Sequence, residues 1–166
     1  NVTSHKAAQW VRSGFLRLMP GAVIDYVDLC AQITQITSGF AIREITYDKW
    51  SGEMIRQELT RRLGKRVPII PNEPTYVGMT LPMRELMALT VQQQWHHHGN
   101  PVAQFCFDSI EVRHAVDNPD LIKPVKPERL PTQVRIDAAV TAALAVGAWR
   151  TRGQAPPKPR AAYGFR

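Results

Sequence analysis

Cysteine is nearly missing: the 166 residues hold two, Cys30 and Cys106. They are far apart and form no C-x-x-C pair, which excludes a disulfide scaffold and predicts two buried, reduced thiols in a cytosolic protein. Long apolar runs are missing as well. The longest, Ala138 to Trp149, is interrupted by Thr141 and falls short of the roughly 20 residues that cross a bilayer. No membrane span is expected. Acidic residues are scarce, 14 against 21 lysines and arginines, for a net charge of +7. That excludes an acidic solvating chain and tilts the expected partners toward polyanions such as nucleic acid or anionic lipid. The chain opens on Asn1 with no charged-then-apolar leader, so no signal peptide is expected and the start reads as trimmed.

What is present suffices for one globular domain. The length fits a single unit and the hydrophobic fraction of 44% is enough for a core. Phe15, Leu16 and Leu18, stopped by Pro20-Gly21, read as a strand and a turn. Asp25 and Asp28 make an acidic first turn for a helix with Tyr26, Leu29, Ile33 and Ile36 on one face, ending at Ser38-Gly39. Ile42 to Tyr47 predicts a strand ending in Asp48, Ser51 to Leu63 a helix stopped by Gly64, and Val67 to Ile70 a further strand. Alternation of this kind predicts an α/β layer with parallel pairing, because parallel neighbours need a crossover. Pro71 to Gly78 reads as a loop. A helix from Leu81 to Trp95 follows, with Thr80 as N-cap and Pro82 in its first turn. Asn100 and Pro101 open a short helix to Phe107. Strands Ile110 to Ala115 and Leu121 to Lys126 flank the turn residues Asp117-Asn118-Pro119-Asp120. A last helix spans about Thr132 to Trp149. The expected domain is therefore 1–149, followed by a basic, disordered tail over 150–166 that carries no acid.

Two carboxylates stand out. Asp48 closes a predicted strand, where open α/β sheets present their ligands. It is either a metal ligand or the cap of the helix beginning near Trp50, although Ser51 can cap that helix itself. Asp137 lies in the alanine-rich last helix, with Val140, Thr141 and Leu144 three, four and seven residues further on, so it borders a packing face. Burial there is costly unless the carboxylate binds a metal or pairs, for instance with Arg135 or Lys123. Hard oxygen ligands suit Mg²⁺ or Mn²⁺ better than zinc, and a two-metal site needs more than two carboxylates. The run His96-His97-His98 cannot converge on one ion in a regular element. Gly64-Lys65-Arg66 lacks the Ser or Thr and the first glycine of a phosphate loop, so no ATP site is expected in this chain.

A set of segments, taken in order, carries a resemblance: Gly14-Phe15-Leu16, Pro20-Gly21, Ile24-Asp25, Ile42-Arg43-Glu44-Ile45, Tyr47-Asp48-Lys49-Trp50, Met79, Pro82, Glu85-Leu86, His98-Gly99-Asn100-Pro101-Val102, Ile122-Lys123-Pro124 with Lys126, and Arg135-Ile136-Asp137 before the alanine-rich helix. From about Trp10 to Trp149 the chain resembles the carboxyl-terminal nuclease part of the phage terminase large subunit, which cuts and packages viral DNA. The resemblance implies an RNase H-like central mixed β-sheet flanked by helices, whose carboxylates hold divalent metals. It makes Asp48 and Asp137 catalytic and metal-binding, with Mg²⁺ or Mn²⁺ as cofactor. The family's remaining aspartate lies on a first strand that nothing before Phe15 matches, so the first strands and an ATPase domain are expected upstream, leaving the nuclease domain N-terminally incomplete. Lys123, Lys126 and Arg135 are the candidate phosphate contacts, or else a solvated basic surface. Implied partners are double-stranded DNA, the terminase small subunit and the portal, with the protein in the host cytoplasm and transiently at the procapsid portal. The alternatives are a non-catalytic DNA-binding or portal-docking module, and another RNase H-like nuclease such as a resolvase. Ala103, Ser109 and extra residues between Lys126 and Asp137 depart from the family pattern.

Overall fold

The structure, a computed structural model, describes residues 2–49, 52–129 and 134–152. Its elements run α1 (Val2–Arg12), α2 (Tyr26–Thr37), β1 (Ile45–Asp48), α3 (Glu53–Leu63), β2 (Ile69–Asn72), α4 (Tyr76–Val91), α5 (Pro101–Asp108), β3 (Glu111–His114), β4 (Ile122–Val125) and α6 (Asp137–Thr151). The expected α/β alternation is present. β1 and β2 pair in parallel, Ile45 against Ile69 through Asp48 against Asn72, and α3 makes the crossover between them. β3 and β4 form a separate antiparallel ladder across the turn predicted at 117–120.

Local chemistry explains the boundaries. Asp25 caps α2, its Oδ1 accepting from the Val27 and Asp28 amides at 2.8 and 3.2 Å. Asn100 does the same for α5, with Pro101 in the first helical position. The strand expected at Phe15–Leu18 is not formed. Those residues instead end α1: Gly14 takes φ +77° and donates to Val11 O, while the Phe15 amide donates to Trp10 O. This is the six-to-one and five-to-two pattern of a glycine-terminated helix, so the apolar run is used as a cap rather than a strand. The helix expected to start at Leu81 starts five residues earlier. Thr75 is its cap, accepting from the Gly78 amide at 3.1 Å, and Pro82 lies inside the helix. The start of the last helix, expected near Thr132, falls outside the described residues. Residues 134–136 are non-helical and α6 begins at Asp137. It runs past the expected boundary at Trp149 to Thr151, so Arg150 belongs to a helix and not to a tail; the remainder of that expected tail, 153–166, lies outside the described residues.

The core sits between α4 and α6. Met79, Met83 and Leu86 meet Ala143 and Val146, with Ile122 of β4 joining them. Small side chains let the helices close up, although α6 lies chiefly on α4 and less on the sheet it was expected to cover. At Gly147 the approach is closest: a Cβ there would stand 2.7 Å from Pro82 Cγ. α2 packs separately on α3 through Cys30 and Leu59, both essentially inaccessible. Both cysteines are free and buried, and burial raises the Cys30 thiol above its ordinary range. Among the described residues no helix is long and apolar enough to cross a membrane.

Candidate active site

β1 ends on Asp48, whose carboxylate is at the surface. Gly52 comes close against the end of β1: a Cβ there would overlap the Tyr47 ring at 2.0 Å and come within 2.8 Å of the Asp48 carbonyl oxygen. Beyond Asp48 the ladder is held by one more bond, the Lys49 amide donating to Asn72 O at 3.1 Å. That register sets Lys49 beside Glu73, and the ammonium and carboxylate meet at 2.6 Å. The contact raises the Lys49 pKa, chiefly through the hydrogen bond to Glu73.

The chain then enters α4 in a tight turn. A Cβ on Gly78 would lie 2.2 Å from Glu73 O, so glycine is what lets the end of β2 fold against the helix start. Tyr76 is the first residue of α4, and the Lys123 ammonium lies 4.6 Å from the centroid of its ring. Thr80, expected as a cap, has another use. Its Oγ1 accepts from the Ile122 amide at 2.9 Å and lies 2.6 Å from Tyr76 O, tying β4 to α4.

Asp137 is the first residue of α6 and is exposed; its helix start has no side-chain cap. Carboxylates are favoured at such a position by the unsatisfied amides of the first turn. No ion pair joins it to Lys123, one of the two partners the sequence offers. At the other end of α6, Arg152 pairs with Glu44 and donates to Arg43 O at 3.2 Å, just ahead of β1. Asp48 and Asp137 thus both lie at the ends of their elements remote from that junction.

Of the candidate phosphate contacts, Lys123 lies over the Tyr76 ring at the start of α4. Lys126 and Arg135 lie on the connection from β4 to α6, where Arg135 donates to Val134 O at 2.9 Å. Among the described residues no three His, Cys, Asp or Glu side chains converge as a full protein cage for a metal would require. Asp48 and Asp137 are both exposed carboxylates, hard oxygen donors of the chemical kind that Mg²⁺ takes. His97 stacks on Phe107 at 6.1 Å, a packing role for the histidine run.

Glu73 and Tyr76 were not singled out from sequence, and Lys49 and Thr80 only as a motif residue and a helix cap. The signal was available in part, because Met79, Met83 and Leu86 keep helical spacing from before Pro82 and so demand an earlier start for α4. The Lys49–Glu73 contact needs the parallel register, which no local pattern carries.

Comparison with known proteins bears on the whole arrangement. The model of the family described as "Terminase large subunit, endonuclease domain" matches residues 2–153. Protein YmfN of Escherichia coli (strain K12) is 29% identical over 145 residues, 87% of this chain and 30% of that protein. The large subunit of terminase from Enterobacteria phage HK97 is 27% identical over 140 residues, 84% of this chain and 26% of its own length. The crystal structure of the HK97 bacteriophage large terminase superposes with a TM-score of 0.71 at 25% identity, over 85% of this chain and 28% of that one. The chain therefore spans less than a third of the length of these relatives. Its mixed α/β architecture is that of the HK97 protein, consistent with an RNase H-like fold. Matched along nearly its whole length, the chain belongs to the family of terminase large subunit endonuclease domains.

Proposed function

We propose that residues 1–149 and the end of α6 form a divalent-metal-dependent endonuclease domain that cuts concatemeric viral DNA during packaging. Asp48 and Asp137 are the groups that would hold Mg²⁺ or Mn²⁺, with a third carboxylate from outside the 166 residues. What supports this is that Asp48 stands at the carboxyl end of the parallel ladder and Asp137 at the start of α6, in a chain whose family model covers both.

The ladder itself supports the third carboxylate. The Ile45 amide donates to Pro68 O, just ahead of β2, and the Lys49 amide to Asn72 O at its end, so the alternate residue Thr46 turns its backbone groups to the outer edge of β1. The outer edge of β2 carries Pro71, which has no amide to give. An added strand is accepted beside Asp48 more readily than beside Asn72.

Divalent ions, when bound, supply the charge that activates a water and stabilises the leaving oxygen of the phosphodiester. The chain's own side chains hold and orient: Asp48 is set by the ladder and the close approach of Gly52, and Asp137 by the first turn of α6. Lys123, with Lys126 and Arg135, would neutralise backbone phosphates. Such contacts follow the sugar-phosphate chain, so little base preference is expected. Double-stranded DNA is then the substrate, the terminase small subunit and the portal the partners, and the procapsid portal in the host cytoplasm the place of action.

Nicking of supercoiled plasmid with Mn²⁺, by a polypeptide long enough to include the third carboxylate, tests the proposal. Asp48→Asn and Asp137→Asn are each expected to lower the rate at least about 100-fold while leaving the far-ultraviolet spectrum intact. DNA binding with no cutting in the unsubstituted protein would favour a docking module instead, and preference for branched over linear duplex would favour a resolvase.

A further inference from the structure

We infer that Tyr76 is a positioning residue, whose ring holds the Lys123 ammonium for a phosphate of duplex DNA; the inference rests on the DNA-cutting function proposed above. Most other cations near this end of the fold are already matched by acids. Lys49 meets Glu73, Arg84 meets Asp120, and Arg113, directly across the ladder from Lys123, meets Glu128 at 2.6 Å. A cation holding a carboxylate has little net charge to offer a phosphate. Lys123 makes no ion pair among the described residues and rests on a neutral ring, 4.6 Å from its centroid. Its charge is kept in place without being cancelled, since attraction to a ring face leaves the ammonium's remaining hydrogen-bond donors open.

The backbone beneath is fixed on the same helix turn. Thr80 Oγ1 accepts from the amide of Ile122, the buried residue before Lys123, and lies 2.6 and 3.2 Å from Tyr76 O and Ile122 O, the two acceptors for its proton. Tyr76 itself follows Glu73 by three residues, across the turn that Gly78 permits. Lys123 is thereby held against the start of α4, and a long side chain so held loses less freedom on meeting a phosphate than one that starts in solvent.

The test measures duplex dissociation constants for the 166-residue protein across a series of salt concentrations. Lys123→Ala should reduce the magnitude of the slope of log K against log[salt] by about 0.9, the value for one phosphate contact. Tyr76→Ala should remove at least half of that, Tyr76→Phe should leave the slope as it was, and Tyr76→Ala combined with Lys123→Ala should match Lys123→Ala alone. Tyr76→Leu keeps the bulk of the side chain and serves if the alanine variant unfolds. In parallel, the Lys123 ε-methylene protons should show an upfield ring-current shift in the unsubstituted and Tyr76→Phe proteins and lose it in Tyr76→Leu. An unchanged slope in Tyr76→Ala or Tyr76→Leu while Lys123→Ala loses its contact, with Asp48-dependent nicking seen in the longer, otherwise unsubstituted polypeptide, would overturn this inference alone. Absence of duplex binding by the unsubstituted protein would overturn it together with the function it rests on.

Discussion

Helices α4 and α6 meet through methionine, leucine, alanine and valine side chains with a glycine at the closest point, whereas α2 and α3 share Cys30 and Leu59 beneath a surface rich in charge. On α3, Glu53 pairs with Arg56 and Glu58 with Arg61 and Arg62, all within one helix. Such pairs support the helix that carries them but do little to press it onto its neighbour. The first pair of helices gains from close packing, the second from a small apolar contact and local ion pairs. This matters for the site, since Glu73 leads into α4, Tyr76 begins it with Lys123 over its ring, and Asp137 begins α6 itself.

The sharpest way to break the contrast is Leu59→Ala. Leu59 of α3 is the largest fully buried side chain among the described residues, so its truncation should cost about 3 kcal/mol in urea unfolding. Hydrogen exchange should then show α2 and α3 opening ahead of α4 and α6; uniform loss of protection would mean that the two halves are one cooperative unit. Next comes Gly147→Val. With Pro82 already 2.7 Å from where a Cβ would stand, the helices must separate, at a cost of about 2 kcal/mol and with altered exchange at Met83 and Val146. A melting temperature equal to that of the unsubstituted protein would show that α4 and α6 have slack.

The smallest effect is electrostatic. The Arg61 hydrogen bond, helped by Arg62 and opposed by desolvation, lowers the Glu58 carboxyl to about 2, and Arg56 with Gln57 lowers Glu53 to about 2. A lowered native pKa gives stability that is present above the ordinary value near 4.5 and lost as the pH falls through about 2. Melting temperature should therefore drop between those limits, and less steeply in Glu58→Gln. Identical profiles for the two proteins would remove the ion pairs from the account of α3.

Much of this was legible in the sequence where a single side chain does a local job. Asp25, Asn100 and Gly64 mark helix ends, and the turn at 117–120 is as its residues demand. The parallel ladder followed from alternation alone. What escaped was context. Phe15 and Leu16 have strand chemistry, yet an unforeseen helix before them recruits their amides through Gly14. Thr80 and Pro82 look like a helix start, but Thr75 caps one turn earlier and Pro82 is tolerated because its ring packs on Gly147. Asp48 was picked out at the end of a strand and does end β1, whereas Asp137, expected inside the last helix and bordering its packing face, stands exposed at the helix start. The Lys49–Glu73 and Lys123–Tyr76 contacts depend on register and on packing between distant segments, which no window of neighbouring residues contains.

The central claim is that Asp48 and Asp137 act on the same divalent ions. Mn²⁺ binding followed by electron paramagnetic resonance tests it without reference to DNA cutting, in the unsubstituted protein, Asp48→Asn, Asp137→Asn and the double substitution. The account predicts that each single change weakens binding at least tenfold and that the double change is hardly worse than either alone, as for two ligands of one site. Binding that survives either single change undiminished, or losses that simply add as at two separate sites, would contradict it.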